Sequence, residues 1–400
     1  MNKIVIVSPH WVPSNLTAVH RARMCANALV DLGWDVTVIC VDPGDYEEIP
    51  DVKLHQITSP KIKLKTAAAK PLGKIRVFGD IVIRARKELR NTITDVVENE
   101  NFQAAWIFIP SFYAALFAPQ FKQAGISKVG IDYIDPWVRS KGNRKGLREK
   151  FSILAARFLE PKALKFVDFV TGVSSDYYLP ALLRNKIENL PHFAFPYGMD
   201  PQDYEVEGKL EELNLPTENF VLYAGALLPH AREMFSLLFY CLSKLPETDP
   251  LRKLQWVFLG TGHHEKGVQS LAKPHGIEII EWPQRLGYLD LIQYQKKAVF
   301  NVVLGSTEKH YFPSKVFQNL MAKRPVWIWT HPESAVWEQL VPFNNWKGFR
   351  NMDLNRRLKD MELVESLRQA LNCMEVQNGP MELLEVKNLI RPLHTFLIQE

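Results

Sequence analysis

Short apolar runs alternate with segments of helical period along nearly the whole chain. Residues 3–8 (KIVIVS), 35–41 (DVTVICV), 54–57, 104–109, 128–133 and 169–173 read as strands, being short, rich in β-branched and aromatic residues, and bounded by turn formers. Residues 17–32, 75–90, 112–124 and 151–166 read as helices, and Ser175 with Asp176 opens another. The first helix places Val19, Met24, Ala28 and Leu32 among its apolar positions, and Gly33 ends it. Strand, helix, glycine turn, strand is a parallel βαβ unit. After residues 193–200 the helical signal stops. A charged, proline-punctuated stretch, 201–218, reads as a linker. The alternation then resumes: strands at 220–224, 254–259, 277–280 and 299–304, helices at 232–245 and 289–296, and mostly helical segments at 353–376 and 380–400. This predicts an α/β protein with two doubly wound parallel sheets: 1–200, 201–375, and a C-terminal helix, 376–400, crossing back to the first domain.

The segment 299–329 concentrates the candidate chemistry. A strand, VFNVVL, leads through a loop to Pro313 and Ser314, then a short helix to residue 322 and a strand at 326–329. The helix therefore starts at the carboxyl end of a strand, where open α/β sheets bind ligands. Pro313 blocks an earlier start and Ser314 is the expected N-cap. The N–H groups at that end favour phosphate. Lys315 carries the wrong charge for the helix dipole there, so it is either solvated or committed to an anion. The loop after the first strand, with Trp11, Ser14 and Asn15, lies at the equivalent edge of the first domain. Loop packing accounts equally for Trp11.

Charge changes the picture by its distribution. Residues 1–200 hold 27 Lys and Arg against 20 Asp and Glu, and residues 201–400 hold 22 against 24. No acid occurs between residues 52 and 79, and a second basic run is Arg139, Lys141, Arg144, Lys145, Arg148 and Lys150. Residues 75–90 combine an apolar side (Ile75, Phe78, Val82, Ala85, Leu89) with Arg84, Arg86, Lys87 and Arg90. This is either an ordinary docked helix or one lying on an anionic membrane. No helix-turn-helix, zinc-ligand or aromatic RNA motif points to nucleic acid. Four scattered cysteines suit a reducing compartment, and the first residues lack the apolar core of a signal peptide. With no apolar run of spanning length, a cytoplasmic protein, in places peripheral to a membrane, is expected.

Nucleophile elbow, zincin, P-loop and GxGxxG motifs are all missing, and no DxD pair offers a metal two carboxylates. The GTGHH turn at 260–264 is a weak nucleotide-binding signal. Six segments together resemble the family 4 glycosyltransferases of the GT-B fold. LGWDVTVIC is similar to "GHxVxVxT", DYIDPW to a D-x-x-D-P-W variant, and FLEPKALKFVDFVTGVSSDYY to "LE…aDxVxxVS". FAFPYGMDPQDY resembles "vxPNGvDxxxF", FLGTGHHEKGVQSLA resembles "ivGxGpxxxxLxxla", and FPSKVFQNLMAKRPV resembles "yPSKvfEYlAxGkPV".

The resemblance implies two Rossmann-like domains facing a cleft. It implies a retaining transfer from a nucleotide-diphosphate sugar to a glycan or lipid-linked acceptor, in envelope or capsular polysaccharide synthesis, with neither metal nor cofactor. Arg232, Lys315 and Asp135 become the candidate catalytic residues. Ser14, Asn15, Gly225, His310, Phe312, Pro313, Ser314 and Gln318 become candidate substrate contacts. The departures matter. Gln318 and His310 stand where the family usually has glutamates, residues 225–232 (GALLPHAR) replace "GxxxxxKG", and 13–16 replace a glycine-rich loop. The alternative is a non-catalytic nucleotide-sugar-binding or assembly protein of the same fold.

Overall fold

A computed structural model describes residues 2–12, 14, 16–41, 51–57, 80–109, 111–138, 147–206, 216, 218–262, 266–306, 309, 312–350, 360–373 and 380–399. The chain divides into two units, Met1–Gly198 with Val386–Glu400, and Met199–Glu385.

Unit 1 holds seven parallel strands: β1 (Lys3–Ser8), β2 (Asp35–Val41), β3 (Val52–Ile57), β4 (Ala104–Ile109), β5 (Lys128–Tyr133), β6 (Phe169–Gly172) and β7 (His192–Ala194). Their order, β3-β2-β1-β4-β5-β6-β7, reverses between β1 and β4. That reversal is the switch point of a doubly wound sheet. β4 is buried along its whole length, as a strand covered on both faces must be. The helices are α1 (Thr17–Asp31), α2 (Ile81–Arg84), α3 (Arg86–Asn99), α4 (Ala118–Gln123), α5 (Leu147–Leu164) and α6 (Ser175–Asn185).

The expected helix over 75–90 is two helices, α2 and α3, separated at Ala85; residues 75–79 lie outside the described residues. Asp80 caps α2 by accepting from the Val82 and Ile83 N–H groups, and it also accepts the Ser111 hydroxyl. Ile81, Val82, Ala85 and Leu89 are buried in unit 1. Over the described residues the apolar side of this segment is thus occupied by the core, as in the docked-helix alternative. Its cations, Arg84, Arg86, Lys87 and Arg90, line an open groove of about 400 Å³. The expected helix over 112–124 is a 3-10 turn, Phe112–Phe117, followed by α4, with Pro119 in the first turn of α4.

The C-terminal helices, Val386–Leu389 and Arg391–Ile398, belong to unit 1. The Trp34 indole N–H reaches His394 Nδ1 at 3.0 Å. The Phe396 ring meets Phe169 and Phe193, and Lys128 donates to the Phe396 carbonyl.

Unit 2 repeats the plan with six parallel strands: β8 (Phe220–Ala224), β9 (Gln255–Leu259), β10 (Ile279–Trp282), β11 (Phe300–Leu304), β12 (Val326–Trp329) and β13 (Trp346–Phe349), ordered β10-β9-β8-β11-β12-β13. Its main helices are α7 (Pro229–Ser243), α8 (Tyr288–Lys297), α9 (Lys315–Met321) and α10 (Asp360–Leu371). Edge-to-face contacts among Tyr223, Phe235, Phe239 and Phe258 fasten α7 to β8 and β9. β13 (WKGF) is missing from the sequence reading because Lys347 and Gly348 interrupt its apolar run. An edge strand pairs on one side only and tolerates that interruption. Part of the expected linker is ordered. Gln202–Glu205 is a helical turn of unit 2, and the Tyr204 hydroxyl donates to the Gln318 carbonyl at 2.9 Å. Among the described residues no helix is long and apolar enough to cross a membrane.

Candidate functional site

The carboxyl edge of the unit 2 sheet is built from glycine turns. The Gly225 N–H donates to Leu259 O at the end of β9, that of Gly260 to Trp282 O at the end of β10, and that of Gly305 to Trp329 O at the end of β12. Each turn thus extends the ladder one step before leaving the sheet. Gly260 and Gly262 have φ of 68° and 86°, which a side chain would strain. Gly225 is needed for closeness: a Cβ there would lie 3.1 Å from Lys315 Nζ and 3.0 Å from the Tyr223 hydroxyl.

Lys315 opens α9 and turns its half-buried side chain back to the sheet, where Nζ donates to the Ala224 carbonyl. Burial, with the Arg285 guanidinium adding to it, pushes its pKa down to about 8. The ammonium is withdrawn from solvent, yet among the described residues no carboxylate pairs with it. Arg285 itself is exposed, in the loop between β10 and α8, and packs on Gly260. Sequence reading missed it. The available signal was its position, a lone arginine between a strand's carboxyl end and Gly287.

Arg232, in the first turn of α7, donates its guanidinium to the Lys266 carbonyl. Ser314 is helical (φ −55°, ψ −31°), and its side chain caps nothing, which corrects the expected N-cap bond. Gln318 is buried, and its Nε2 has no hydrogen-bond partner. A buried amide donor left open is uncommon enough to need an explanation. Phe312 is 4% exposed and stacks on Phe317 at 5.5 Å. In this structure the ring packs inside unit 2. Pro313 is buried beside it. His310 and Asn15 lie outside the described residues.

A cavity of about 620 Å³ elsewhere in unit 2, lined by Phe349, Arg350, Glu362 and Ser366 among others, touches none of these positions.

In unit 1, the Ser14 N–H closes a turn onto Trp11 O, and Trp11 is buried, the packing role anticipated for it. Asp135 is half-buried in the loop after β5. The other aspartate of DYIDPW does different work. Asp132 is fully buried and accepts Arg21 Nε at 2.8 Å, Arg21 Nη2 at 2.9 Å and the Thr171 hydroxyl at 2.6 Å. Arg21 Nη1 donates to the carbonyls of Phe195 and Pro196, and the guanidinium lies 4.2 Å from the Phe195 ring centre. One ion pair thus ties α1 to β5, β6 and the segment after β7. Glu160 is likewise internal, paired with Arg184, and burial holds its carboxyl above the usual range.

No family model and no curated protein matches the sequence. Solved structures do match in fold. Sucrose-phosphate synthase from Thermosynechococcus elongatus has a TM-score of 0.62 at 13% identity, over 99% of this chain and all of that one. A trehalose-6-phosphate synthase, OtsA, has a TM-score of 0.65 at 10% identity, over 100% and 99%. The UDP-forming α,α-trehalose-phosphate synthase of Burkholderia xenovorans, solved in complex with glucose-6-phosphate, has a TM-score of 0.57 at 12% identity, over 98% and 96%. The fold of this chain is therefore GT-B, two Rossmann-like domains; at such identities the likeness extends to the fold and no further.

Proposed function

We propose that this chain is a nucleotide-sugar glycosyltransferase that takes its donor at the carboxyl edge of unit 2. The observation carrying this reading is the Lys315 ammonium, withdrawn against Ala224 and Gly225 beside Arg285, with no carboxylate to neutralise it among the described residues. Two such cations at a glycine turn suit a diphosphate. As the bond from sugar to diphosphate breaks, charge grows on the leaving phosphate, and prepositioned donors stabilise it most where water is excluded. Lys315 and Arg285 supply that field. Arg232 adds to it on exchanging the Lys266 carbonyl for phosphate, and Gly225 leaves room for the oxygens. The buried Gln318 Nε2, which has no hydrogen-bond partner, donates to a ribose hydroxyl in this reading. Two of the fold neighbours, a sucrose-phosphate synthase and a UDP-forming trehalose-phosphate synthase, support the donor class.

The finer reading is a family 4-like, retaining, metal-independent transfer, with domains at 1–200 and 201–375. Asp135, Ser14 and Asn15 serve the acceptor side, and His310 the sugar. The acceptor is a lipid-linked or glycan molecule of an envelope or capsular polysaccharide, handled on the cytoplasmic face of a membrane.

Calorimetry with UDP-, GDP- and TDP-sugars, paired with donor-hydrolysis and transfer assays that include sugar phosphates as acceptors, tests this. Micromolar binding of one donor with turnover is expected. Absence of binding by every nucleotide sugar would refute it. Gln318 favours one rival, a nucleotide-sugar-binding protein without turnover, because an amide lacks the charge assistance of a carboxylate. Tight binding with no turnover, whatever acceptor is supplied, decides for the rival.

A further inference from the structure

Helix α5 is inverted in its amphipathy. Its inward face carries Ala156, Glu160, Ala163 and Leu164, all buried. Its outward face carries Phe151, Leu154 and Phe158, which are 69%, 65% and 63% exposed. At 100° per residue these three fall within about 60° of one another and run roughly 10 Å along the axis. Single exposed apolar residues are ordinary; three large ones in one stripe mark a surface that something covers.

The surroundings of the stripe say what covers it. Lys150 and Arg157 flank it on one side and Lys162 on the other, all exposed, and Lys165 follows the helix. Lys162 Nζ lies 3.7 Å from the Phe158 ring centre, so stem and ring share one apolar surface with the charge at its rim. From residue 150 to 166 the only acid is Glu160, which is turned inward onto Arg184. In sequence, residues 139–149 add Arg139, Lys141, Arg144, Lys145 and Arg148, with Glu149 the one acid.

We propose that the outward face of α5, through Phe151, Leu154 and Phe158 with their flanking cations, is an interfacial docking surface for an anionic lipid membrane. The apolar stripe enters the acyl boundary while the cations meet the headgroups. A second copy of this chain fits poorly, since a symmetric contact would set these cations against themselves. The surface stands on its own geometry. Only its use, bringing unit 1 to a lipid-linked acceptor, rests on the function proposed above.

Co-sedimentation of the full chain with phosphatidylcholine vesicles, and with phosphatidylcholine–phosphatidylglycerol vesicles, tests it. Binding to the anionic vesicles and little to the neutral ones is expected. Phe151→Ser with Phe158→Ser should weaken anionic binding at least about tenfold, because the inserted apolar area is lost. Arg157→Glu with Lys162→Glu should do the same through charge alone. Val341→Ser, 77% exposed on unit 2, should bind as wild type. All substituted side chains face solvent, so unchanged circular dichroism is expected for each variant. Wild-type indifference to both vesicles, variants that bind undiminished, or equal loss in the Val341 control would overturn the proposal. So would a lipid-free dimer in sedimentation velocity that Phe158→Ser abolishes. Calorimetry with UDP-, GDP- and TDP-sugars on the same samples keeps the two readings apart: vesicle binding with no binding of any nucleotide sugar refutes the transferase and leaves the docking surface standing.

Discussion

An ammonium withdrawn from water, as that of Lys315 is, with the Arg285 guanidinium adding to it, is charged at a cost. Its folded pKa of about 8 lies below the ordinary 10.5, so the cost is fully present below pH 8 and is relieved as pH rises toward 10.5. Replacing Lys315 with Met removes an electrostatic penalty of up to about 3 kcal/mol, less whatever solvent screens. The variant is therefore expected to melt no lower than wild type at pH 7, while its UDP affinity falls at least about tenfold, or 1.4 kcal/mol. Thermal scans with calorimetry check both; a clear loss of stability with affinity intact would refute this account of the residue. A bound diphosphate raises the lysine pKa again. Nucleotide binding at pH 8.5 should then take up a proton, seen as buffer-dependent enthalpy, and affinity should decline as pH rises past about 8. Lys315→Met should abolish that uptake. The sequence showed that Lys315 opposes its helix dipole and left the outcome open, because the Ala224 carbonyl that receives it lies 91 residues away.

Between elements, the decisive link in unit 1 is the Arg21–Asp132 pair. Both side chains are completely buried, so removing one leaves a stranded charge. Asp132→Leu should destabilise unit 1 by about 3–5 kcal/mol, while Arg21→Met combined with Asp132→Leu should cost much less than the two single losses together. Urea unfolding of the four proteins measures the difference, and strict additivity would mean the pair is not coupled. A second contact between elements is steric. Gly130 in β5 lies under the Phe169 ring of β6, where a Cβ would sit 2.1 Å from the ring. Gly130→Ala should cost about 1–3 kcal/mol by displacing that ring, read from the same unfolding curves. Neither contact was legible beforehand. DYIDPW offered two aspartates near a strand's end, and nothing local distinguished Asp132, aimed inward at α1, from Asp135 in the loop.

For the molecule as a whole, the chain's last residues serve the unit built from its first. Val386, Ile390, Leu393 and Leu397 are buried, and Phe396 meets Phe169 and Phe193. Each buried aliphatic side chain is worth about 1.5–3 kcal/mol. Ending the chain at Glu385 should therefore unfold unit 1 or lower its transition sharply. Unit 2 has its own aromatic core and should keep its transition, identified by its rise on adding UDP. Calorimetry distinguishes the two; a single cooperative transition lost as a whole would contradict independent cores.

The alternation of strand and helix, the two parallel sheets and the carboxyl-edge position of α9 follow from the sequence alone. Periodicity and burial are local signals, and a fully apolar run such as β4 has few other uses. Tertiary structure decided the rest. Edge strands β7 and β13 take their identity from a neighbour's backbone more than from their own side chains. Lys315, Gly225 and Arg285 come from three separate segments, and only the sheet order, β10-β9-β8-β11, brings those segments to one edge. The inverted face of α5 was hidden for a related reason. The sequence marks 151–166 only as a helix; that Phe151, Leu154 and Phe158 face outward while Glu160, paired with Arg184 from another helix, faces inward is visible only in the fold.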